Sequence, residues 1–175
     1  MLETIFLKVM IDLQTERLKF RQWREADFES FSDYFADEEN TKYIGGQKSR
    51  EEAWRMMASY IGHYHLKGYG YMAVEEKSSK RLVGCVGLWK SKPWPELELG
   101  YWLLNEMQGK GYATEAAEKV KDYAFEILQV KTFVSYIDPQ NEPSKRLAIR
   151  LGAIYETDIE LLDFGRHCVY RYVRE

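Results

Sequence analysis

From Glu16 to Trp23 the chain alternates Leu18, Phe20 and Gln22 with Arg17, Lys19 and Arg21, a period of two that predicts a first strand with one charged face. The period then lengthens. Phe28, Phe31 and Phe35 recur at i, i+3 and i+7 and predict a helix with an aromatic stripe. Ser49 with Glu52 three residues on forms a capping box, and Ala53, Met57, Tyr60, Ile61 and Tyr64 carry the helical period to a stop at Gly68, giving a second helix over about 49–67. Strand patterns follow at 69–76 and 81–89, joined by the polar turn at Ser78 and Ser79, and again at 96–104 after Lys92-Pro93-Trp94-Pro95, which together predict an antiparallel meander. Beyond Gly111, Ala113, Ala116, Ala117, Val120, Ala124, Ile127 and Leu128 fall at helical spacing before a strand at 132–137. A strand, a helix and a strand in that order imply a parallel pair. A short helix over about 142–151 has Pro143 in its first turn and Gly152 just past its end. Two strands, about 153–161 and 166–174, close the pattern.

Composition narrows what such a chain does. Its 175 residues are about one domain's length, with 45% apolar and 15% aromatic residues, which is ample for a core and excludes a disordered chain. We expect one domain over 12–175 preceded by an extension over 1–11, with Met10 an alternative start. Twenty-five Lys and Arg against 28 Asp and Glu leave a net charge of −3, so no basic face for nucleic acid is implied. No apolar run approaches the ~20 residues of a membrane helix, and the first ten residues carry Glu3 and no basic start or cleavage site. Cys85 and Cys168 lie in separate strand-like runs without metal-ligand spacing and read as buried thiols in a cytoplasmic protein. His63 and His65, two apart on a helix, do not share a face, so no metal site is expected.

The informative region runs from Leu97-Glu98-Leu99-Gly100-Tyr101-Trp102-Leu103-Leu104 to Gln108-Gly109-Lys110-Gly111-Tyr112-Ala113-Thr114-Glu115-Ala116. A strand enters a glycine-bearing loop that opens a helix, which exposes unpaired backbone N–H groups at the positive end of the helix dipole. That is a phosphate site. Gly109 and Gly111 let the backbone approach an anion closely, and Lys110 adds charge. The loop lacks the Gly-Lys-Ser/Thr ending of a P-loop, and its strand belongs to a meander rather than to a dinucleotide-binding unit.

Here the sequence resembles the GNAT superfamily of N-acetyltransferases, and within it the ribosomal-protein N-terminal acetyltransferase branch. The resemblance rests on Thr15-Glu16-Arg17-Leu18, Glu98-Leu99-Gly100-Tyr101-Trp102, Gln108 to Ala113 with Thr114-Glu115-Ala116, and Asn141-Glu142-Pro143-Ser144 with Leu151-Gly152-Ala153, in that order. It implies a mixed α/β fold: a mostly antiparallel sheet of about seven strands, splayed between strands 4 and 5 and flanked by about four helices. It also implies acetyl-CoA as cosubstrate, its pyrophosphate held by Gln108, Gly109, Lys110, Gly111, Tyr112, Ala113 and Thr114. The pantetheine arm is then expected along the strand end at Trp102 and Leu103, near Asn141.

Acetyl transfer needs the amine to lose a proton, a donor for the charge developing on the thioester oxygen, and a proton for the leaving thiolate. By the resemblance Glu98 is the candidate base, with Glu96 on the same strand face, and Ser144 the candidate donor to sulfur where many family members use a tyrosine. A strand N–H near Trp102 or Leu103 is expected to meet the oxygen. Asn141 and Ser144 also suit the first turn of a helix without any role in chemistry. Tyr43, beside Gly45-Gly46, and His167 are candidate acceptor contacts, while Trp89 and Trp94 read as packing. An α-amine with pKa about 7.7–8.0 is far more often neutral at pH 7 than a lysine near 10.4, which favours a protein N-terminus or small amine as acceptor. A non-catalytic acyl-CoA binding or sensing module and an adenine-nucleotide domain remain alternatives, and monomer and homodimer are both open.

Overall fold

The computed structural model describes residues 13–174; the extension over 1–11 and the alternative start at Met10 lie outside the described residues. Strand β1 (Leu18–Arg21) leads to helices α1 (Phe28–Ala36), the one-turn α2 (Glu38–Thr41) and α3 (Arg50–Lys67). Strands β2 (Tyr71–Glu76), β3 (Leu82–Trp89) and β4 (Glu98–Leu103) follow, then α4 (Tyr112–Asp122), β5 (Thr132–Ile137), α5 (Glu142–Arg150), β6 (Ile154–Glu160) and β7 (Arg166–Val173). Among the described residues these strands form one sheet in the order β1-β2-β3-β4-β5-β7-β6, antiparallel except where β4 meets β5. This is the expected seven-stranded arrangement, with α2 the helix the pattern missed. Four residues carry too little periodicity to be read, and α2 forms because the Asp37 carboxylate caps it by accepting from the Asn40 N–H at 2.9 Å.

The predicted periods bury the faces they should. Phe31 and Phe35 of α1 and Ala53, Met57 and Tyr60 of α3 pack with Ala73, Cys85 and Trp102 on one side of the sheet. Ala116, Ala117 and Val120 of α4 pack on the other side with Val86, Leu99 and Phe133. The Ser49 hydroxyl accepts from the Glu52 N–H at 3.2 Å while the Glu52 carboxylate accepts from the Ser49 N–H at 2.8 Å, and Gly68 ends α3 at φ 76°. The helix expected to run to Leu128 stops being α-helical at Asp122 and continues as a five-residue π-type turn, Tyr123–Ile127.

Charges on the first strand are spent within the fold. Arg21 is half-buried between Asp27 and Glu75, at 2.8 and 2.7 Å, and those two carboxylates hold its guanidinium above its ordinary pKa. His63 accepts at Nε2 from the Lys90 N–H (3.2 Å), so Nδ1 carries the proton and donates to the Tyr69 carbonyl (3.0 Å). Its ring stacks on Trp89 at 4.1 Å and burial lowers its pKa, which makes it a neutral packing residue. Cys85 and Cys168 are free and buried.

What positions the site is the junction of β4 and β5. These parallel strands share a single register pair, Glu98 with Val134. The Val134 N–H donates to Leu97 (2.9 Å) and the Ser135 hydroxyl to the Leu99 carbonyl (2.7 Å); beyond Leu99 the pairing ceases and the sheet opens.

Candidate active site

On one edge of β4 the Leu104 N–H following it donates to Val83, and on the other edge the Leu97 and Leu99 carbonyls face β5. The β3–β4 register is unbroken from Glu98 to Leu103, so alternation turns the peptide groups of Tyr101 and Leu103 toward the opening. The Leu103 carbonyl is taken by Gln108 Nε2 at 3.2 Å. Of the two residues singled out on this strand, Leu103 therefore presents its N–H to the splay, whereas Trp102 turns its peptide to β3. The Trp102 ring stacks on Tyr34 at 4.4 Å and on Trp23 at 5.9 Å.

A cavity of about 440 Å³ occupies the opening and the space beside it, within the usual size range of small-molecule sites. Glu98, Trp102, Asn141, Ser144, Tyr43 and His167, candidates from four separate stretches of chain, all line it. Glu98 is 7% exposed. Burial pushes its carboxyl up to about 7, opposed in part by polar groups of Tyr71, Trp94 and the Tyr136 backbone. The Tyr71 hydroxyl donates to Glu98 Oε2 at 3.2 Å, and burial with the nearby Glu98 keeps that phenol well above its ordinary pKa, so it remains a donor. Glu96 is held differently: Arg171 grips both its oxygens at 2.8 and 2.9 Å and keeps its pKa low. The strand expected from 96 begins at Glu98, so Glu96 sits in the bend before it, and the two glutamates take opposite electrostatic roles.

Asn141 caps α5, its Oδ1 accepting from the Ser144 N–H at 3.2 Å. The capping role is real, and it leaves the Asn141 amide N–H groups and the Ser144 side chain at the cavity wall. Ser144 Oγ lies 2.6 Å from the Tyr101 hydroxyl, which spans from β4 to α5 across the opening.

The glycine loop follows β4. Its Gln108 N–H is used by Asn105 (3.2 Å) and the next internal bond is Glu115 N–H to Gly111 (3.1 Å), so among the described residues the amides of 109–114 have no internal acceptor. Gly109 and Gly111 stand at φ 73° and 80°, in the left-handed region where a side chain is strained. Thr15 and the Arg17 backbone and guanidinium all bind Glu115, the Arg17 Nε at 2.7 Å, and Arg17 also donates to the Lys110 carbonyl at 3.0 Å. Two of the stretches that carry the resemblance, Thr15 to Leu18 and Thr114 to Ala116, are thereby explained as a brace that sets the loop. Arg150 of α5 reaches Thr114 Oγ1 at 3.3 Å and adds charge on the same side. The loop residues and Leu103 are not in the cavity wall; they stand at the far end of β4, roughly 17 Å from Glu98 at the usual rise per residue.

Tyr71, Tyr101, Trp94 and Phe164 were not singled out as site residues, and Trp94 was expected to pack. Trp94 does pack, against Tyr136 and Phe164, and in doing so it lines the cavity. One signal was available: Gly100 sits inside a strand, where a glycine marks a close approach, and the group that approaches is the Tyr71 ring. Among the described residues no cluster of three or more His, Cys, Asp or Glu side chains forms a metal site, and no helix is long and apolar enough to cross a membrane.

A splayed β4–β5 junction, a glycine-opened helix beyond it and a buried carboxyl at its root define a class. The family model described as an acetyltransferase (GNAT) domain matches residues 17–154, and the chain belongs to the GNAT acetyltransferase family. It is similar in structure to the acetyltransferase from Agrobacterium tumefaciens str. C58, with a TM-score of 0.84 and 32% identity, covering 92% of this chain and 93% of that one. By sequence it is 30% identical over 141 residues to the uncharacterized N-acetyltransferase p20 of Bacillus licheniformis, 79% of either chain. It is 29% identical over 143 residues to the uncharacterized N-acetyltransferase YoaA of Bacillus subtilis (strain 168), 80% of this chain and 81% of that one. Of the alternatives the sequence left open, the family supports an acetyl-CoA-dependent acyltransferase.

Proposed function

We propose that the protein transfers acetyl from acetyl-CoA to a primary amine, a protein N-terminus or small amine, with Glu98 as general base and Ser144 as proton donor to the thiolate. The observation that carries this reading is the buried Glu98 carboxyl, raised to about 7, in one cavity wall with Ser144 and Asn141. A base matched to neutral pH both exists as carboxylate and accepts a proton effectively.

The residues present fit the cosubstrate. Amides 109–114, Lys110 and Arg150 offer donors and positive charge to a pyrophosphate, and at Gly109 a Cβ would meet nothing within 4 Å, so the backbone is open to a ligand there. The splay offers strand peptide groups along its length to an amide-bearing arm, with Asn141 at the far wall. Acetyl-CoA supplies the activated acetyl group as a thioester. Glu98 takes the amine proton at its carboxylate, held in orientation by the Tyr71 hydroxyl. The Tyr101 N–H, on the cavity stretch of β4, supplies a donor for charge on the carbonyl oxygen, and the Leu103 N–H farther along the strand one for the arm. Ser144 Oγ–H donates to sulfur, and the Tyr101 hydroxyl replaces that hydrogen bond from behind.

An acceptor panel of small amines and peptides, with acetyl-CoA and products read by mass spectrometry, tests the reading. Acetylated amines with stoichiometric thiol release are expected; acetylated lysine side chains as the sole product would overturn the preference stated here. For the loop, Gly111→Trp is expected to weaken CoA binding about tenfold or more by calorimetry, equivalent to about 1.4 kcal/mol. The cause is a side chain at φ 80° in the mouth of the amide cradle, 3.5 Å from the Arg17 guanidinium. Unchanged affinity would remove the phosphate site from this loop.

A further inference from the structure

The acceptor side of the cavity carries almost no charge of its own. Among the described residues lining it, the carboxylates are Glu98 and Asp138, and Asp138 Oδ1 is engaged by the Gln140 N–H at 2.8 Å in the turn before α5. The cations nearby have the wrong sign for a polyamine. Lys48 donates to the Gly45 carbonyl at 2.6 Å and Lys90 to the Trp94 and Pro95 carbonyls, so both ammonium groups are fixed in the loops that shape the mouth.

The wall is made of rings instead. Phe164 meets Trp94 edge-on at 5.6 Å and Trp94 meets Tyr136 edge-on at 6.1 Å, a series running from the rim inward to the residue whose backbone faces Glu98. Leu162 and Phe164 are 48% and 50% exposed, large apolar side chains left in water at the cavity rim. Asp163 between them is not part of the wall. Across the mouth, Tyr43 and Ile44 line the cavity, and a Cβ at Gly45 would stand 3.1 Å from the Phe164 ring, so the loop after α2 and the β6–β7 turn touch over it. Exposed apolar groups gathered around a concave site mark the surface a ligand covers.

Resting on the transferase reading above, we infer that the acceptor is a primary amine carried on a flat apolar body with no second positive charge, either an arylalkylamine or a chain whose first residue is aromatic. The ring of such an acceptor lies against Trp94 and Phe164 with its amine toward Glu98. A second ammonium on the acceptor would be desolvated against these rings, where the one carboxylate besides Glu98, Asp138, is engaged in its own turn, which disfavours polyamines and the lysine side chain of a basic segment.

The test uses the whole enzyme with acetyl-CoA and four acceptors: 2-phenylethylamine, ethylamine, spermidine and a short peptide beginning with Phe. The expected kcat/KM for phenylethylamine or the Phe peptide exceeds that for ethylamine and spermidine by about a hundredfold, the scale of discrimination available to an apolar pocket. The larger of the two aromatic values tells a small amine from a chain terminus. In Phe164→Ala, a change at a half-exposed position that the fold tolerates, KM for phenylethylamine should rise about tenfold and KM for ethylamine by less. Equal or better turnover of spermidine, or a Phe164→Ala effect identical for both amines, overturns the inference while leaving the transferase reading intact. Thiol release with none of the four, while CoA still binds, sinks the transferase reading and the inference with it.

Discussion

Glu98→Gln is expected to lower kcat by about 10²–10⁴-fold, the usual worth of a general base, with KM for acetyl-CoA little changed. The pH profile gives the sharper result. In the native enzyme kcat/KM should rise with pH through an ionisation near about 7, because the carboxylate is the working form. The glutamine variant keeps only the rise that belongs to the amine itself. A limb near 7 that survives in the variant would move the base from Glu98. Stability moves the other way. Glu98 has a folded-state pKa raised from 4.5, so its contribution to stability is fully present below about 4.5 and is lost as pH rises through about 7. Above that range its ionised form costs on the order of 3 kcal/mol, which a neutral glutamine does not incur. Glu98→Gln should therefore melt higher than the native protein at pH 8 and match it near pH 4, measured by calorimetry. A less active and more stable variant at pH 8 is the signature of a carboxyl buried for function.

Gly100→Ala is the second large effect. A Cβ there would come within 2.9 Å of the Tyr71 Cζ and nearer still to its hydroxyl oxygen, the group that donates to Glu98. Tyr71 has nowhere to go: its ring stacks on Trp89 at 5.2 Å and meets Tyr60 edge-on at 5.2 Å, and its carbonyl accepts from the Trp23 indole at 2.9 Å. Overpacking of this kind costs about 1–3 kcal/mol of stability, and loss of the oriented hydrogen bond should cut kcat about 10-fold to 100-fold. Tyr71→Phe removes the oxygen that clashes. The double variant Gly100→Ala with Tyr71→Phe should recover part of the lost melting temperature, since the approach to the ring carbon Cζ remains, and none of the lost kcat. If instead activity returns with stability, the Tyr71 hydroxyl does not position Glu98.

Some of the site was legible because local rules governed it. The capping box at Ser49, the stop at Gly68, the helix opening after Gly111 and the aromatic stripe of α1 depend on neighbours within a few residues, and all stand where the pattern put them. Glu98, Asn141, Ser144, Tyr43 and His167 were singled out by resemblance and residue chemistry, and they line one cavity. Tyr71, Tyr101, Trp94 and Phe164 were missed for a common reason. An aromatic residue in a strand or turn looks like core material until it is known which groups lie across from it, and each of these acts across a long stretch of chain: Tyr71 on Glu98, Tyr101 on Ser144, Trp94 on Phe164.

The order and kind of elements, the glycine loop and the residue types able to move protons follow from the chain alone, because periodicity, capping and side-chain chemistry are properties of short segments. Which glutamate is left without a countercharge does not. Glu96 and Glu98 are two apart, alternation alone assigns them one strand face, and in the fold Glu96 lies in the bend before β4 while Glu98 opens it. Folding carries Arg171 of β7 onto Glu96, which holds it ionised, and closes Tyr71, Trp94 and the β5 backbone over Glu98, which leaves its carboxyl without a countercharge in a low-dielectric wall. The tertiary structure decided the difference, since an electrostatic environment is a sum over groups that only the fold brings together.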